Sequence, residues 1–187
     1  MYTSSFFTHL GEISFSWDQS QQLTSVRWFE ESDPSLISTA VGDRPAFIDD
    51  LVDGLRAFVK FGRPVPKLKN DWVNWDGVSE FRRKVYEAIS EIPYGETRTY
   101  QWVAEKIAQP RSCRAVGQAL RRNPFLIFIP CHRVISSSGD RGGFMGISDP
   151  QSSELKLKNK MLDLESQYLN PVFPFLKSYF STEMILR

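Results

Sequence analysis

Length, composition and charge already narrow what this chain can be. With 187 residues, 41% of them hydrophobic and including fourteen Phe and five Trp, it can form one domain or two small ones around a packed core. The net charge of +1 excludes any argument for nucleic-acid binding from overall charge, so such binding would need local clusters of Lys and Arg.

The sequence contains no recognisable targeting signal and no metal-binding motif. The sequence has no basic region followed by an apolar one at its start, and no apolar run near the roughly 18 residues of a membrane span. Its two cysteines, Cys113 and Cys131, cannot build a disulfide framework, and with two distant histidines they give no zinc-type spacing. We therefore expect no membrane association and no metal. We also expect a reducing compartment, which is the cytoplasm, or the nucleus if the source is eukaryotic.

Three short segments near the N-terminus alternate in the manner of strands. They are rich in aromatic and β-branched residues and are separated by turn residues. The segments are Ser5–Thr8, Ile13–Trp17 and Leu23–Phe29. This pattern predicts a small antiparallel meander.

Helical spacing follows over residues 45–61, where the apolar residues fall on one face. The run Gly62-Arg63-Pro64 ends this helix, and residues up to about Asn74 read as a linker. We therefore predict an N-terminal domain of residues 1–74 and a C-terminal domain of residues 75–187.

The second half of the chain predicts mainly helices. Apolar residues repeat at helical intervals from Val78 to Ile92, and a shorter helix follows over residues 99–107. Ser112 is placed to cap a third helix that runs to about Arg122. Two short helices joined by a tight turn predict a helix-turn-helix.

Three further segments complete the pattern. The apolar run Phe125–Ile129 predicts a buried strand or extended segment. A glycine-rich loop spans residues 136–143, and a last helix covers about 154–165. The predicted fold class is α/β, in the sense of α+β: a small N-terminal antiparallel-sheet domain with a helix, plus a mainly helical C-terminal domain that contains the helix-turn-helix.

Cys131 is the candidate nucleophile. A thiol at its ordinary pKa is mostly protonated at pH 7, and a neighbouring imidazole such as that of His132 is the usual remedy. Adjacent side chains on a strand point in opposite directions, so their contact needs a bridging water or a turn, which Pro130 favours. His132 would also need an orienting carboxylate, which the residues alone do not identify. Judged by itself, the Cys-His pair is better explained as a packed core thiol that precedes a histidine.

A series of short motifs surrounds this pair and changes that judgement. In chain order they are Ile92-Pro93-Tyr94-Gly95-Glu96-Thr97, Thr99-Tyr100, Arg114-Ala115-Val116-Gly117-Gln118-Ala119, Asn123-Pro124, Ile129-Pro130-Cys131-His132-Arg133-Val134-Ile135, and Gly142-Gly143-Phe144. Their order and spacing closely resemble the O6-alkylguanine-DNA alkyltransferase family over residues of about 78–165. The run from Pro130 to Val134 is highly specific for that family. The N-terminal strands and helix resemble the family's smaller domain in architecture alone, and residues 166–187 have no counterpart.

The resemblance implies a definite reaction. Cys131 would attack the alkyl carbon on O6 of guanine and keep the alkyl group as a thioether, so the protein would react once, without a cofactor. His132 would take the Cys131 proton through a water, and Glu165 matches the carboxylate that orients this histidine. Tyr100 matches the tyrosine that donates to N3 of guanine as the base becomes a leaving group.

The resemblance also assigns residues around the pocket. Asn123 matches the hinge that ties the helix-turn-helix to the active-site segment, although by itself it is equally a turn residue before proline. Lys158 matches a lysine near the active-site loop, and Met145 takes the position whose backbone N–H faces O6. Pro130 and Val134 belong to the active-site run and are expected to border the pocket.

An arginine cluster marks the third predicted helix as the element that contacts DNA. Because O6 of guanine lies inside the duplex, the base must be extruded before it can react. Small residues between the arginines let a helix lie close to a groove, and the resemblance implies that Arg114 fills the gap left by the base. A solvated basic helix face is the plainer interpretation of the same cluster. The residues expected to contact DNA are Ser112, Arg114, Ala115, Gly117, Arg121 and Arg122.

Two features depart from the family pattern. Phe144 stands where the family usually has Tyr, so the ring that lines the alkyl pocket is kept and its hydroxyl is lost. The segment 147–157 is several residues longer than usual and polar, which is compatible with bulkier adducts or with simple mobility.

The sequence therefore predicts a single-turnover DNA repair protein. Its partner would be double-stranded DNA containing O6-alkylguanine, with weaker action on O4-alkylthymine, and it would act as a monomer that can bind DNA cooperatively. Two other hypotheses stay open: a protein of the same fold that binds damage without transferring anything, and a cysteine hydrolase. The presence of Cys131, His132 and Glu165 together argues against the first, and the lack of an oxyanion-hole motif argues against the second.

Overall fold

The computed structural model describes residues 1–30, 44–139 and 141–170. The strands in this part of the chain are β1 (Tyr2–Thr8), β2 (Gly11–Trp17), β3 (Leu23–Phe29), β4 (Arg98–Thr99) and β5 (Val134–Ile135). The helices are α1 (Ala46–Phe61), α2 (Glu80–Ser90), α3 (Tyr100–Lys106), α4 (Cys113–Arg121) and α5 (Ser153–Leu169), with short 3₁₀ helices at Asn70–Trp72 and Cys131–Arg133. The predicted α+β class is confirmed. None of the described helices has the length and apolar character needed to cross a membrane.

The N-terminal strands form the predicted antiparallel meander in the order β1-β2-β3. Gly11 opens β2 with φ +123, and a Cβ there would lie 2.4 Å from the Phe29 carbonyl oxygen. Glycine is therefore required at this turn, both by the backbone angle and by the close approach of β3. The side chains of Ile13, Phe15 and Val26 are fully buried and belong to the hydrophobic core of the protein.

Helix α1 packs its apolar face into the core and ends where the sequence predicts. Residues one turn apart are buried, as the helical spacing requires: Ile48, Leu51, Val52, Leu55, Phe58 and Val59. Gly62 follows the helix with φ +66, and its N–H donates to the Phe58 carbonyl at 2.7 Å. This is the last bond with helical spacing, and the left-handed backbone of Gly62 then turns the chain out of the helix.

The helices of the second half also occupy the predicted positions. Helix α2 is capped by Ser79, whose hydroxyl accepts from the Arg82 N–H. Helix α3 is capped in the same way by Thr99, whose hydroxyl accepts from the Trp102 N–H. Helices α3 and α4 pack against each other and against α2. Two short helices joined by residues 107–112 thus stand where the helix-turn-helix is predicted.

Two local predictions are wrong. Ser112 precedes α4, but with φ −98 and ψ 18 its hydroxyl makes no cap; it donates instead to the Gln109 carbonyl at 2.7 Å. The run Phe125–Ile129 is buried but is not a strand. Ile127 adopts φ +72, and the Ile129 N–H donates back to the Phe125 carbonyl at 2.9 Å. A continuous apolar run gives burial without a period, so it cannot distinguish a strand from a buried turn.

The core is continuous across both halves of the chain. One cluster of buried side chains includes residues of the N-terminal sheet, α1, α2, α4 and α5. The linker region is tied in as well, because the Asn74 N–H donates to the Leu23 carbonyl. A second bond, from the Val26 N–H to the Pro124 carbonyl, joins β3 to the segment that follows α4. The division at residue 74 stays a prediction. Helix α5 runs four residues beyond its predicted end, to Leu169, and the remainder of the tail lies outside the described residues.

Candidate active site

Cys131 lies on a turn at the bottom of a cavity. Pro130 leads into the 3₁₀ helix Cys131–Arg133, and Cys131 and His132 are both buried. The Cys131 N–H donates to the Ile129 carbonyl at 2.8 Å, which fixes the bend. The turn that the Cys-His pair needs is therefore present, and Cys131 and His132 are not placed as neighbours on a flat strand.

Glu165 on α5 holds the residues that follow Cys131. The His132 Nε2 lies 2.8 Å from Glu165 Oε1. The Arg133 guanidinium donates to both carboxylate oxygens, with Nε 3.0 Å from Oε2 and Nη2 2.9 Å from Oε1. The Gly95 N–H donates to Oε2 at 2.9 Å. A fully buried carboxylate is tolerated here because both of its oxygens accept hydrogen bonds, and one of the donors, Arg133, carries a positive charge.

The protonation states of this cluster follow from its surroundings. Burial by itself raises the pKa of Glu165, but hydrogen bonds from His132 and Arg133, together with the positive charge of Arg133, lower it to about 2. Burial lowers the pKa of His132, against the pull of Glu165. The imidazole is therefore neutral at pH 7, and the ionised carboxylate assigns its proton to Nε2. Nδ1 has no hydrogen-bond partner among the described residues and is free to accept a proton.

The Cys131 thiol is a weaker acid than an ordinary thiol. Burial raises its pKa, while the Asn123 amide and the positive charge of Lys158 pull it down. The Asn123 Nδ2 lies 3.2 Å from Sγ and also donates to the Ile129 carbonyl at 2.9 Å. The resting thiol is thus protonated, and a base is needed at the moment of reaction.

Lys158 connects the two segments that border the thiol. It is fully buried on α5, and its ammonium donates to the Val134 carbonyl at 2.7 Å and the Gly143 carbonyl at 3.5 Å. Burial lowers its pKa to about 8. Its Nζ also lies 5.9 Å from the centre of the Phe144 ring. Lys158 therefore places a positive charge near Cys131 while it fixes the loop that carries Phe144.

The cavity above Cys131 measures about 200 Å³. One wall comes from α3 and α4 and the other from the loop after Gly142. Its lining residues are Tyr100, Gly117, Gln118, Leu120, Arg121, Cys131, Gly143, Phe144, Met145, Gly146, Ile147 and Ser148. Burial raises the pKa of Tyr100, and its hydroxyl lies 3.5 Å from the Gly143 carbonyl. Tyr100 therefore stays protonated and can donate a hydrogen bond into the cavity.

Helix α4 and the residues that flank it carry all the positions that were predicted to contact DNA. Arg114, Ala115, Arg121 and Arg122 are exposed, and Ser112 and Gly117 are half-buried. The helix buries Val116, Ala119 and Leu120 on its opposite face. A Cβ on Gly117 would meet nothing closer than 3.8 Å, so the protein interior does not itself demand glycine there.

The structure gathers most of the predicted residues into one place and adds two that the sequence argument missed. Tyr100, Asn123, Phe144, Lys158 and Glu165 all converge on the segment that carries Cys131 and His132. Arg133 and Gly95 were quoted as motif residues without a role, yet both donate to Glu165. An arginine inside an otherwise apolar run was a signal for a buried ion pair. The predicted long loop, residues 147–157, is exposed up to Gln151 and then enters α5.

Comparisons with known proteins match this chain to one family. A model of the 6-O-methylguanine DNA methyltransferase DNA-binding domain matches residues 80–167. The methylated-DNA–protein-cysteine methyltransferase of Methanosarcina barkeri is 47% identical over 91 residues, covering 49% of this chain and 53% of that protein. Its namesake from Methanothermobacter thermautotrophicus is 37% identical over 126 residues, covering 65% and 62%. The chain spans about half the length of the first curated relatives it matches.

A solved structure extends the likeness to the N-terminal half. The Mycobacterium tuberculosis OGT in complex with DNA superposes with a TM-score of 0.68 at 29% identity, covering 90% of this chain and 94% of that one. The similarity in three dimensions therefore reaches well beyond the segment that matches by sequence.

Proposed function

We propose that this chain, whose residues 80–167 match the model of the 6-O-methylguanine DNA methyltransferase DNA-binding domain, repairs DNA by moving the alkyl group of O6-alkylguanine to its own Cys131. The observation that carries this proposal is the placement of one buried thiol at the floor of a cavity, directly followed in the chain by a neutral histidine held by Glu165. O4-alkylthymine is a second, weaker substrate of the same reaction. No cofactor is needed, because the thiol itself receives the alkyl group.

The transfer is a single displacement. The Cys131 sulfur attacks the alkyl carbon, the S–C bond forms as the C–O6 bond breaks, and guanine leaves with the electron pair. The product is a thioether, a bond that none of the described residues lining the cavity is placed to cleave. Each protein molecule therefore reacts once.

His132 supplies the base that the buried thiol lacks. With its proton on Nε2 and held by Glu165, the ring offers Nδ1 to a water that takes the Cys131 proton. Arg133 keeps Glu165 ionised, so the carboxylate stabilises the imidazolium that forms.

Tyr100 acts on the leaving base. Negative charge develops on the guanine ring as the C–O6 bond breaks, and a hydrogen bond to N3 disperses it. The Tyr100 hydroxyl is a suitable donor because its pKa is raised by burial and it lines the cavity. Met145 would present its backbone N–H to O6 from the opposite wall.

Helices α3 and α4 form the DNA-binding helix-turn-helix in this proposal. The exposed arginines of α4 contact phosphates, and Arg114 occupies the space of the extruded base. Binding is to duplex DNA through the minor groove, by a monomer that can bind cooperatively. The site of action is then where DNA is, in the cytoplasm or, in a eukaryote, the nucleus.

The decisive experiment follows the alkyl group. Incubation with duplex DNA that carries O6-[³H]methylguanine should label the wild-type protein to one equivalent, and peptide mapping should place the label on Cys131. The Cys131→Ala variant should bind the same duplex and take up no label, whereas Cys113→Ala should label fully. A folded wild-type protein that binds the duplex without becoming labelled would instead support a binding-only protein.

A further inference from the structure

A tight turn with two apolar side chains borders the mouth of the cavity. The Phe144 N–H donates to the Ile147 carbonyl at 2.8 Å, and the Ile147 N–H donates to the Phe144 carbonyl at 2.9 Å. Between them, Met145 and Gly146 adopt φ +51 and φ +88. Two positive φ values between these reciprocal hydrogen bonds match a type I′ turn, in which both central positions favour Gly, Asn or Asp. Met145 thus occupies a strained position that glycine would occupy without cost.

The side chains of this turn are exposed although they are apolar. Met145 is 38% exposed and Ile147 is 39% exposed, and both line the cavity whose floor is Cys131 at 5%. We call Met145 and Ile147 the apolar rim. An isolated exposed apolar residue needs no explanation, but a strained methionine beside an exposed isoleucine at a reactive cavity does.

The apolar rim lies opposite the DNA-facing helix. Gly117, Gln118 and Arg121 of α4 form the other side of the same opening. Arg121 reaches across it, since a Cβ on Gly146 would lie 2.3 Å from the Arg121 Nε. A nucleotide that enters the cavity must pass between Arg121 of α4 and the apolar rim.

We propose that the apolar rim is a wedge that packs against the unstacked faces of the nucleotides flanking the extruded base. The proposal rests on the proposed function and adds a contact surface to it. Extrusion leaves the neighbouring bases without a stacking partner, and apolar side chains are the usual groups that cover such faces. The rim is desolvated by this contact, which lowers the cost of holding the base out of the helix.

The exposed part of the rim is poorly placed to hold the alkyl group itself. The alkyl carbon must reach Sγ of a thiol at the buried end of the cavity, whereas two fifths of each rim residue faces solvent. The occupant of the rim is therefore the part of the DNA that stays outside the cavity. This makes the rim a positioning surface that matters for duplex substrates.

The test compares one adduct in two settings. O6-benzylguanine is presented within a duplex oligonucleotide and as the free base, and the second-order rate constant for Cys131 alkylation is measured for each. For Ile147→Ser and Met145→Gly we expect the ratio of duplex to free-base rate constants to fall about fivefold, from the lost burial of two fifths of one apolar side chain. The Met145→Gly protein should be at least as stable as wild type, because glycine relieves the turn.

A matched control separates this effect from loss of surface hydrophobicity. Phe7→Ser removes an exposed apolar side chain from β1, outside the residues that line the cavity, and should leave both rate constants as they are. Equal slowing of both substrates by the rim variants would overturn the proposal, because the rim would then act on the adduct or on cavity shape. An unchanged ratio overturns it as well. A wild-type protein inert toward both substrates would overturn the proposed function and the wedge with it.

Discussion

Glu165 is the residue on which the site depends most. Its two oxygens accept from His132, from Arg133 and from the Gly95 N–H, and none of the carboxylate is exposed to solvent. The carboxylate offsets the buried charge of Arg133 and fixes the tautomer of His132 at the same time. Removal of its charge therefore affects both folding and chemistry.

We expect Glu165→Gln to lower the free energy of unfolding by about 3 kcal/mol at pH 7, because it leaves the Arg133 charge buried without a counter-ion. It should also slow alkyl transfer. The pKa of Glu165 is lowered in the folded state, so its stabilisation is present above about pH 4.5 and is lost as the pH falls towards 2. The stability deficit of the variant should accordingly shrink below pH 4.5 in urea titrations.

The control for this prediction is Asp163→Asn on the same helix. Asp163 pairs with Arg141 at the surface, with about half of each side chain exposed, and such pairs contribute roughly 0–1 kcal/mol. A deficit of Glu165→Gln that stayed constant down to pH 2 would contradict the assignment of a depressed pKa.

Two helices are each preceded by a serine, but only one of the two serines caps its helix. Ser152 precedes α5 with extended backbone angles, and its hydroxyl accepts from the Leu155 N–H at 3.3 Å. Ser112 precedes α4 with other angles and makes no such bond. The same residue type therefore caps one helix and not the other.

This contrast gives a paired prediction. Ser152→Ala should lower the free energy of unfolding by about 1 kcal/mol, the usual contribution of an N-cap serine. Ser112→Ala should cost less than about 0.5 kcal/mol, because it loses one exposed hydrogen bond to the Gln109 carbonyl. Urea unfolding followed by circular dichroism measures both. Equal losses would mean that Ser112 caps α4 in solution.

Across the whole molecule, the end of α1 is locked to the helix that carries Glu165. Gly62 adopts φ +66, and a Cβ there would lie 2.2 Å from the Leu164 carbonyl oxygen. The Tyr94 hydroxyl also donates to the Gly62 carbonyl. The N-terminal half therefore supports the site through the contact between Gly62 and Leu164, which directly precedes Glu165 in the chain.

Gly62→Ala should test that contact. The left-handed backbone alone costs an alanine about 1 kcal/mol, and displacement of α5 should raise the total to about 3 kcal/mol. Gly77→Ala is the matched control, since Gly77 has φ +73 with nothing within 4 Å of its Cβ position. The Gly77→Ala substitution should lower the free energy of unfolding by no more than the left-handed backbone conformation costs an alanine, about 1 kcal/mol. If the two variants unfolded at the same urea concentration, the α1–α5 contact would contribute nothing.

The sequence by itself determined the local elements. Alternation predicted β1, β2 and β3, helical spacing predicted α1 and α2, and Gly62 marked the end of α1 because each of these signals depends on residues a few positions apart. The residues alone favoured a core thiol at position 131, and the motif series favoured a nucleophile there; the reactivity of Cys131 stays a prediction. Glu165 was paired with His132 by resemblance and not by any local pattern.

Only the tertiary structure decided the properties that depend on distant neighbours. The Gly95 N–H reaches a carboxylate 70 positions away, and Arg133 completes a buried pair across 32 positions. Burial, which raises the pKa of Cys131 and lowers that of His132, results from side chains contributed by several separate elements. Composition and spacing carry no information about such contacts, because desolvation and hydrogen bonding act through space and not along the chain.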